Sequence, residues 1–325
     1  MDLKTNYMGL EMKNPIIAGS SGITNNVESI KKIAGYGIGA VVLKSLFEEQ
    51  IVHEIDVKLK DNEMYFWYPE ARDFVQSISK DHGVDKYLEL IRESKKAVDI
   101  PIIASINCMS PAEWPSFAKK IEEAGADGLE LNITILPQND EISSCDMEMQ
   151  YVTIVEEVKK YTSLPIAVKI SPYFSNLRML CSALSQAGAQ AVVMFNRYYK
   201  PDVDIDKMAI VSNKYHSNAE ELSESLRWIG LLSNRNICQF AASTGIHKGD
   251  DVIKALLVGA DAAQIATILY KNGLEYIPVM LTHIEKWMEN KGFKSIADFK
   301  GKLSKGKEVT ASFERVQFMK KTTNA

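Results

Sequence analysis

The sequence is short of the features that mark several large functional classes. It has four cysteines in 325 residues (Cys108, Cys145, Cys181 and Cys238), none in a C-x-x-C pair. That spacing excludes an iron–sulfur or structural-zinc pattern and predicts reduced thiols. The histidines, among them His82, His216 and His247, have no metal-ligand spacing. Lys and Arg number 38 against 42 Asp and Glu, a net charge of −4, so there is no basic field for nucleic acid or anionic lipid. No window reaches the roughly 18 apolar residues that span a bilayer, and MDLKTNYMGLEMKNP lacks the apolar core of a signal peptide. No G-x-G-x-x-G follows the first apolar run, and no Pro/Gly/Ser-rich linker divides the chain. These absences predict a cytoplasmic, single-domain protein over 1–325 with no metal, nucleic acid or membrane partner.

What is present is a rhythm. Short apolar runs recur at 15–20, 40–45, 101–106, 128–133, 165–171, 191–196, 238–244 and 262–269. They are continuous rather than alternating, as parallel strands covered on both faces require. Amphipathic stretches such as VESIKKIAGYG, SNLRMLCSALSQAG and GDDVIKALLVG lie between them, several ending at a glycine (Gly125, Gly188, Gly259) suited to a left-handed cap. Eight such units in one chain predict a (β/α)8 TIM barrel; a doubly wound open sheet is the structural alternative. Two connections are long, 46–84 after the second strand and 197–218 after the sixth.

A barrel works at the carboxyl ends of its strands. Those ends carry Ser20, Ser21 and Gly22, then Lys44 and Ser45, then Ser105 and Asn107, then Asn132 and Thr134. Lys169 and Ser171, Asn196, Ser243 with Thr244 and Gly245, and Thr267 complete the set. One serine there merely marks where a strand leaves the core. Two lysines and three asparagines on separate strands converge on one mouth and need an acceptor-rich ligand. Barrels commonly bind phosphate after strands seven and eight, which here read STGI and QIAT.

The segments NPIIAGSSG, VVLKS, ELNIT, PIAVKISPYF, STGI, QIAT and the tail WMENKGFKSIADFKGKL resemble the dihydroorotate dehydrogenase family of the soluble, class 1 kind, nearly end to end. That resemblance implies an FMN-dependent barrel that oxidises dihydroorotate to orotate in pyrimidine biosynthesis, with a separate electron acceptor and a possible homodimer. It implies flavin contacts from Ser20, Ser21, Gly22, Lys44, Ser45, Asn107, Asn132 and Lys169, and phosphate contacts from Thr244, Gly245, Ala266 and Thr267. It also makes Lys44 a candidate catalytic residue between flavin and substrate, and places Lys44, Asn132, Asn196 and Arg197 beside the substrate.

The departures concern the substrate. Where the family has Asn-Leu-Ser-Cys-Pro-Asn after strand four, this chain reads Asn132-Ile-Thr-Ile-Leu-Pro137, with Ile135 in place of the catalytic base. Isoleucine cannot take a proton; Thr134 and Cys145 are the nearby candidates for a displaced base. The family's Asn-rich loop after strand two is replaced by MYFWYPEARDF at 64–74. Asn196-Arg197 stands for Asn-Ser, and Ser223-Glu224 for Ser-Gly. Three readings follow: an FMN oxidoreductase on dihydroorotate or another substrate, a Schiff-base aldolase using Lys169, and a non-catalytic flavin-binding protein.

Overall fold

The structure, a computed structural model, describes residues 1–47, 69–107, 113–135, 142–197, 201–211 and 216–304, with backbone alone at 47, 69–82 and 113–116. Cys108, the 64–68 part of the rewritten loop, and the side chains of Glu70, Arg72 and His82 lie outside that description.

Eight parallel strands close into a barrel: β1 (Ile16–Ala18), β2 (Ala40–Val42), β3 (Ile102–Asn107), β4 (Gly128–Asn132), β5 (Ile166–Ile170), β6 (Ala191–Met194), β7 (Gln239–Ser243) and β8 (Ala262–Ile265). Each pairs with the next, and β8 returns to β1 through Gln264↔Ile17. Helices surround it: α1 (Val27–Gly35), α2 (Pro69–Ala97), α3 (Glu113–Glu123), α4 (Ser144–Lys159), α5 (Leu177–Gln186), α6 (Leu222–Leu232), α7 (Gly249–Leu257), α8 (Thr267–Asn272) and α9 (Tyr276–Lys291). Gly125, Gly188 and Gly259 take positive φ after α3, α5 and α7, as their position in the sequence predicts. No helix among the described residues is long and apolar enough to cross a membrane.

Successive residues of each strand feed two cores. Ile16, Val41, Ile102, Leu129, Val168 and Val192 face the helices. Ile17, Ala40, Val42, Ile103, Ala167, Ala191, Val193, Ala241 and Ala262 face the axis. An N-terminal hairpin (Thr5–Tyr7 with Leu10–Met12) supplies Tyr7, Met8 and Met12 to this inner core. Its turn is Met8-Gly9, both at positive φ, the geometry of a tight hairpin turn. The Met8 amide donates to the Gln239 side chain at 2.5 Å, tying the turn to the start of β7.

Three expectations change in detail. The run at 262–269 is strand only to Ile265, because Ile268 and Leu269 bury themselves as the first turn of α8; a short apolar run does not distinguish the two states. The connection 46–84 is helical from Pro69, since Val84, Tyr87, Leu88 and Ile91 pack on the barrel and override the interruption at Gly83. The 197–218 connection contains a second hairpin, Asp202–Asp204 with Ala209–Val211.

Candidate functional site

β2 leaves the ladder after Val42, and pairing resumes only at Leu46–Phe47 opposite Ile106 and Asn107. The gap is filled by side chains. The Tyr87 hydroxyl accepts the Ser105 amide at 2.8 Å and donates to its carbonyl at 2.9 Å. The freed turn carries Lys44, half-buried, and Ser45. Ser45 Oγ lies 2.8 Å from Ser105 Oγ and 3.1 Å from Ser20 Oγ, joining the ends of the first three strands.

A cavity of about 460 Å³ opens at this end, within the range of small-molecule sites. Its floor is Lys169, 8% exposed. The Lys169 ammonium donates to Gln264 Oε1 at 3.1 Å and lies 3.7 Å from Glu130 Oε1. Ser20, Ser21, Asn196, Arg197, Thr244, Gly245, Ala266 and Thr267 line the walls. Asn196 Nδ2 donates to Asn132 Oδ1 at 2.6 Å, and Arg197 pairs with Glu221 at 3.3 Å.

The loop after β7 is shaped by necessity. Thr244 and Gly245 both have positive φ, and Thr244 is held there by its hydroxyl bond to the Phe195 carbonyl at 3.0 Å. A Cβ on Gly245 would sit 2.4 Å from the Leu222 amide nitrogen, so both space and φ demand glycine. Across the cavity, Ser217 donates to Thr267 Oγ1 from its amide at 3.2 Å and its hydroxyl at 3.1 Å. Thr267 therefore keeps its own hydroxyl hydrogen for a ligand acceptor. His247 lies 3.2 Å from Ser217 Oγ; burial, with Lys271 nearby, pushes its imidazole below the ordinary range and leaves it neutral at pH 7.

The structure thus gathers ten of the expected residues: Ser20, Ser21, Lys169, Asn196, Arg197, Ser243, Thr244, Gly245, Ala266 and Thr267. Ser45 and Asn132 stand behind them, through Ser20 and Asn196. Gly22, Lys44, Asn107 and Thr134 do not line the cavity among the described residues. Cys145 is exposed in the first turn of α4, whose N-cap is Ser143. Ile135 packs against the core, with its amide donating to the Tyr151 hydroxyl at 3.3 Å. Sequence reasoning missed His216, Ser217, Gln264 and Tyr270 on the walls and Glu130 beneath. Gln264 and Glu130 carried a signal: each is polar at a strand position whose parity points inward.

The donors suit an acceptor-rich, anionic ligand. Lysine, arginine and asparagine converge at one side, and the left-handed Thr244-Gly245 turn and the Thr267 hydroxyl lie at the other. The sequence profile described as Dihydroorotate dehydrogenase matches residues 2–288. Among curated proteins, the catalytic subunit of dihydroorotate dehydrogenase B (NAD(+)) of Pyrococcus abyssi is 28% identical, covering 92% of this chain and 98% of its own. Dihydroorotate dehydrogenase A (fumarate) of Lactococcus lactis is 26% identical over 93% and 99%. The PreA subunit of NAD-dependent dihydropyrimidine dehydrogenase of Escherichia coli K12 is 24% identical over 92% and 76%. The match across the whole barrel means that the chain belongs to the dihydroorotate dehydrogenase family of oxidoreductases.

Proposed function

We propose that this chain is an FMN-dependent oxidoreductase acting on a ring CH–CH bond, with dihydroorotate as its candidate substrate. The observation that carries the reading is the Lys169 ammonium, buried at the floor of a cavity whose other wall ends in the Thr244-Gly245 turn and Thr267. When bound, a flavin supplies an acceptor for the two electrons that leave the substrate. Lys169 offers a fixed positive charge where negative charge gathers on reduction, without reorganisation at the moment of transfer. Ser20, Ser21 and Asn196 orient the ring. The backbone at Thr244 and Gly245, with the Thr267 hydroxyl, holds the phosphate. The ion pair to Glu130 argues against the aldolase reading, because a Schiff base needs a neutral amine. Two of the relatives are named as subunits of NAD-linked enzymes, which supports an electron acceptor reached through a partner protein.

A second reading, a different substrate, has its own support. Ile135 packs, half-buried, against the core and offers no proton acceptor, and neither the half-buried Thr134 nor the exposed Cys145 lines the cavity. A positioned base contributes about 10²–10⁴-fold. Anaerobic mixing separates the two. The expectation is ready reduction of the bound flavin by dithionite and slow reduction by dihydroorotate. Fast reduction by dihydroorotate would show that another group takes the proton and would remove the support for a different substrate.

A further inference from the structure

Glu130 is 1% exposed and faces the barrel axis directly below Lys169. A carboxylate at that depth is costly unless it is paired and hydrogen-bonded. Its Oε2 accepts from Gln264 Nε2 at 2.5 Å, but its Oε1 accepts no hydrogen bond among the described residues. A carboxylate only accepts and an ammonium only donates, so the Gln264 amide can bridge them in one orientation alone. That bridge engages one N–H of Lys169. The 3.7 Å gap from Lys169 to Glu130 Oε1 is too long for a hydrogen bond, so the carboxylate acts on the lysine as a charge. Barrel interiors are ordinarily filled by apolar side chains, and buried ion pairs replaced by apolar groups of similar volume are often neutral or stabilising. Packing therefore gives no reason for a carboxylate here.

We propose that Glu130 and Gln264 are positioning residues for Lys169: Gln264 holds the ammonium at the cavity floor, and the charge of Glu130 limits how strongly it favours a reduced, anionic flavin. This inference rests on the flavin reading above. Removing the charge of Glu130 leaves the field of the lysine uncompensated in the cavity and raises the flavin's reduction potential. Removing the bridge at Gln264 lets the ammonium drop toward Glu130 Oε1, away from the ring, and lowers it. Simple loosening of the barrel has no reason to move the two variants in opposite directions.

The test compares FMN-loaded wild type, Glu130→Gln, Gln264→Met, Lys169→Gln and the Glu130→Gln/Lys169→Gln double variant. The readouts are the flavin potential against reference dyes, FMN affinity by fluorescence, and the thermal melt. Glu130→Gln is expected to favour reduction by about tenfold, roughly 30 mV for a two-electron couple, with Gln264→Met opposing it by a similar factor. In the Lys169→Gln background the Glu130→Gln shift should fall below a third of its size, the coupling expected of a group that acts through the lysine. An unchanged potential in a folded Glu130→Gln protein, a shift undiminished without Lys169, or shifts of one sign in both variants would each overturn the proposal. Should Glu130→Gln fail to fold, Gln264→Met decides: a lowered potential supports the proposal and an unchanged one overturns it. Wild-type protein that neither contains nor takes up FMN would overturn the flavin reading first, before any variant is compared.

Discussion

At the amino-terminal end of the barrel the inward positions are Ile17, Ala40, Ile103, Ala167, Ala241 and Ala262, closed from below by Tyr7, Met8 and Met12. One inward step along β3, β5, β7 and β8 the side chains become Ser105, Lys169, Ser243 and Gln264, with Glu130 of β4 inward beside them, all buried. The same strands thus carry two kinds of interior. The apolar layer excludes water and specifies packing. The polar layer pairs its buried charges and, among the described residues, presents the Lys169 ammonium to the cavity. The apolar and polar interiors are segregated along the barrel axis, and each can be attacked separately.

The largest effect is expected from Lys169→Gln. It leaves the Glu130 carboxylate buried without a countercharge, a loss of about 3–5 kcal/mol. The same change should make a bound flavin harder to reduce. Unfolding should be followed on flavin-free protein, because ligand binding adds to apparent stability. Ile17→Ala strikes the other layer. Deleting a fully buried aliphatic group there should cost about 2–5 kcal/mol, read as a lower melting temperature, with FMN affinity unchanged within about threefold. If it instead abolished FMN binding, the two layers would not be separable.

Gly245→Ala should produce a smaller loss of stability, about 1–3 kcal/mol, from a side chain forced to positive φ against the Leu222 backbone. Here the affinity for FMN should fall at least about tenfold, since the turn that offers its amides must shift. The smallest effect is chemical. Burial pushes the Cys238 thiol, at the start of β7, up to about 12, and raises Cys181 further. At pH 8 both are protonated and should resist iodoacetamide, while the exposed Cys145 reacts; mass spectrometry of timed digests gives the order.

The barrel was legible because its signals are local. Runs such as PIIASI and PIAVKIS are continuously apolar since both faces are covered, and Gly125, Gly188 and Gly259 mark helix ends by their positive φ. Strand-end polar residues make up much of the cavity wall. What was hidden depends on parity and distance. Glu130 and Gln264 sit inside apolar runs, 134 positions apart in sequence, and only barrel closure brings them together. The N-terminal hairpin, which carries Met8 under the barrel, lies in a segment with no apolar run of its own. Ser217 reaches Thr267 from a long connection with no periodic pattern of its own. The substrate side stayed unread for a different reason: Ile135 and the 64–74 segment depart from the family pattern and leave no substitute that sequence alone identifies.

The central claim is that the cavity above Lys169 is a flavin site. Its most direct measurement is the flavin content of the purified protein, released by denaturation and quantified by chromatography, alongside titration of stripped protein with FMN. The account predicts one non-covalently bound FMN per chain, and weaker rebinding by Lys169→Gln and Gly245→Ala. Protein that releases no flavin and shows no saturable FMN binding would contradict it.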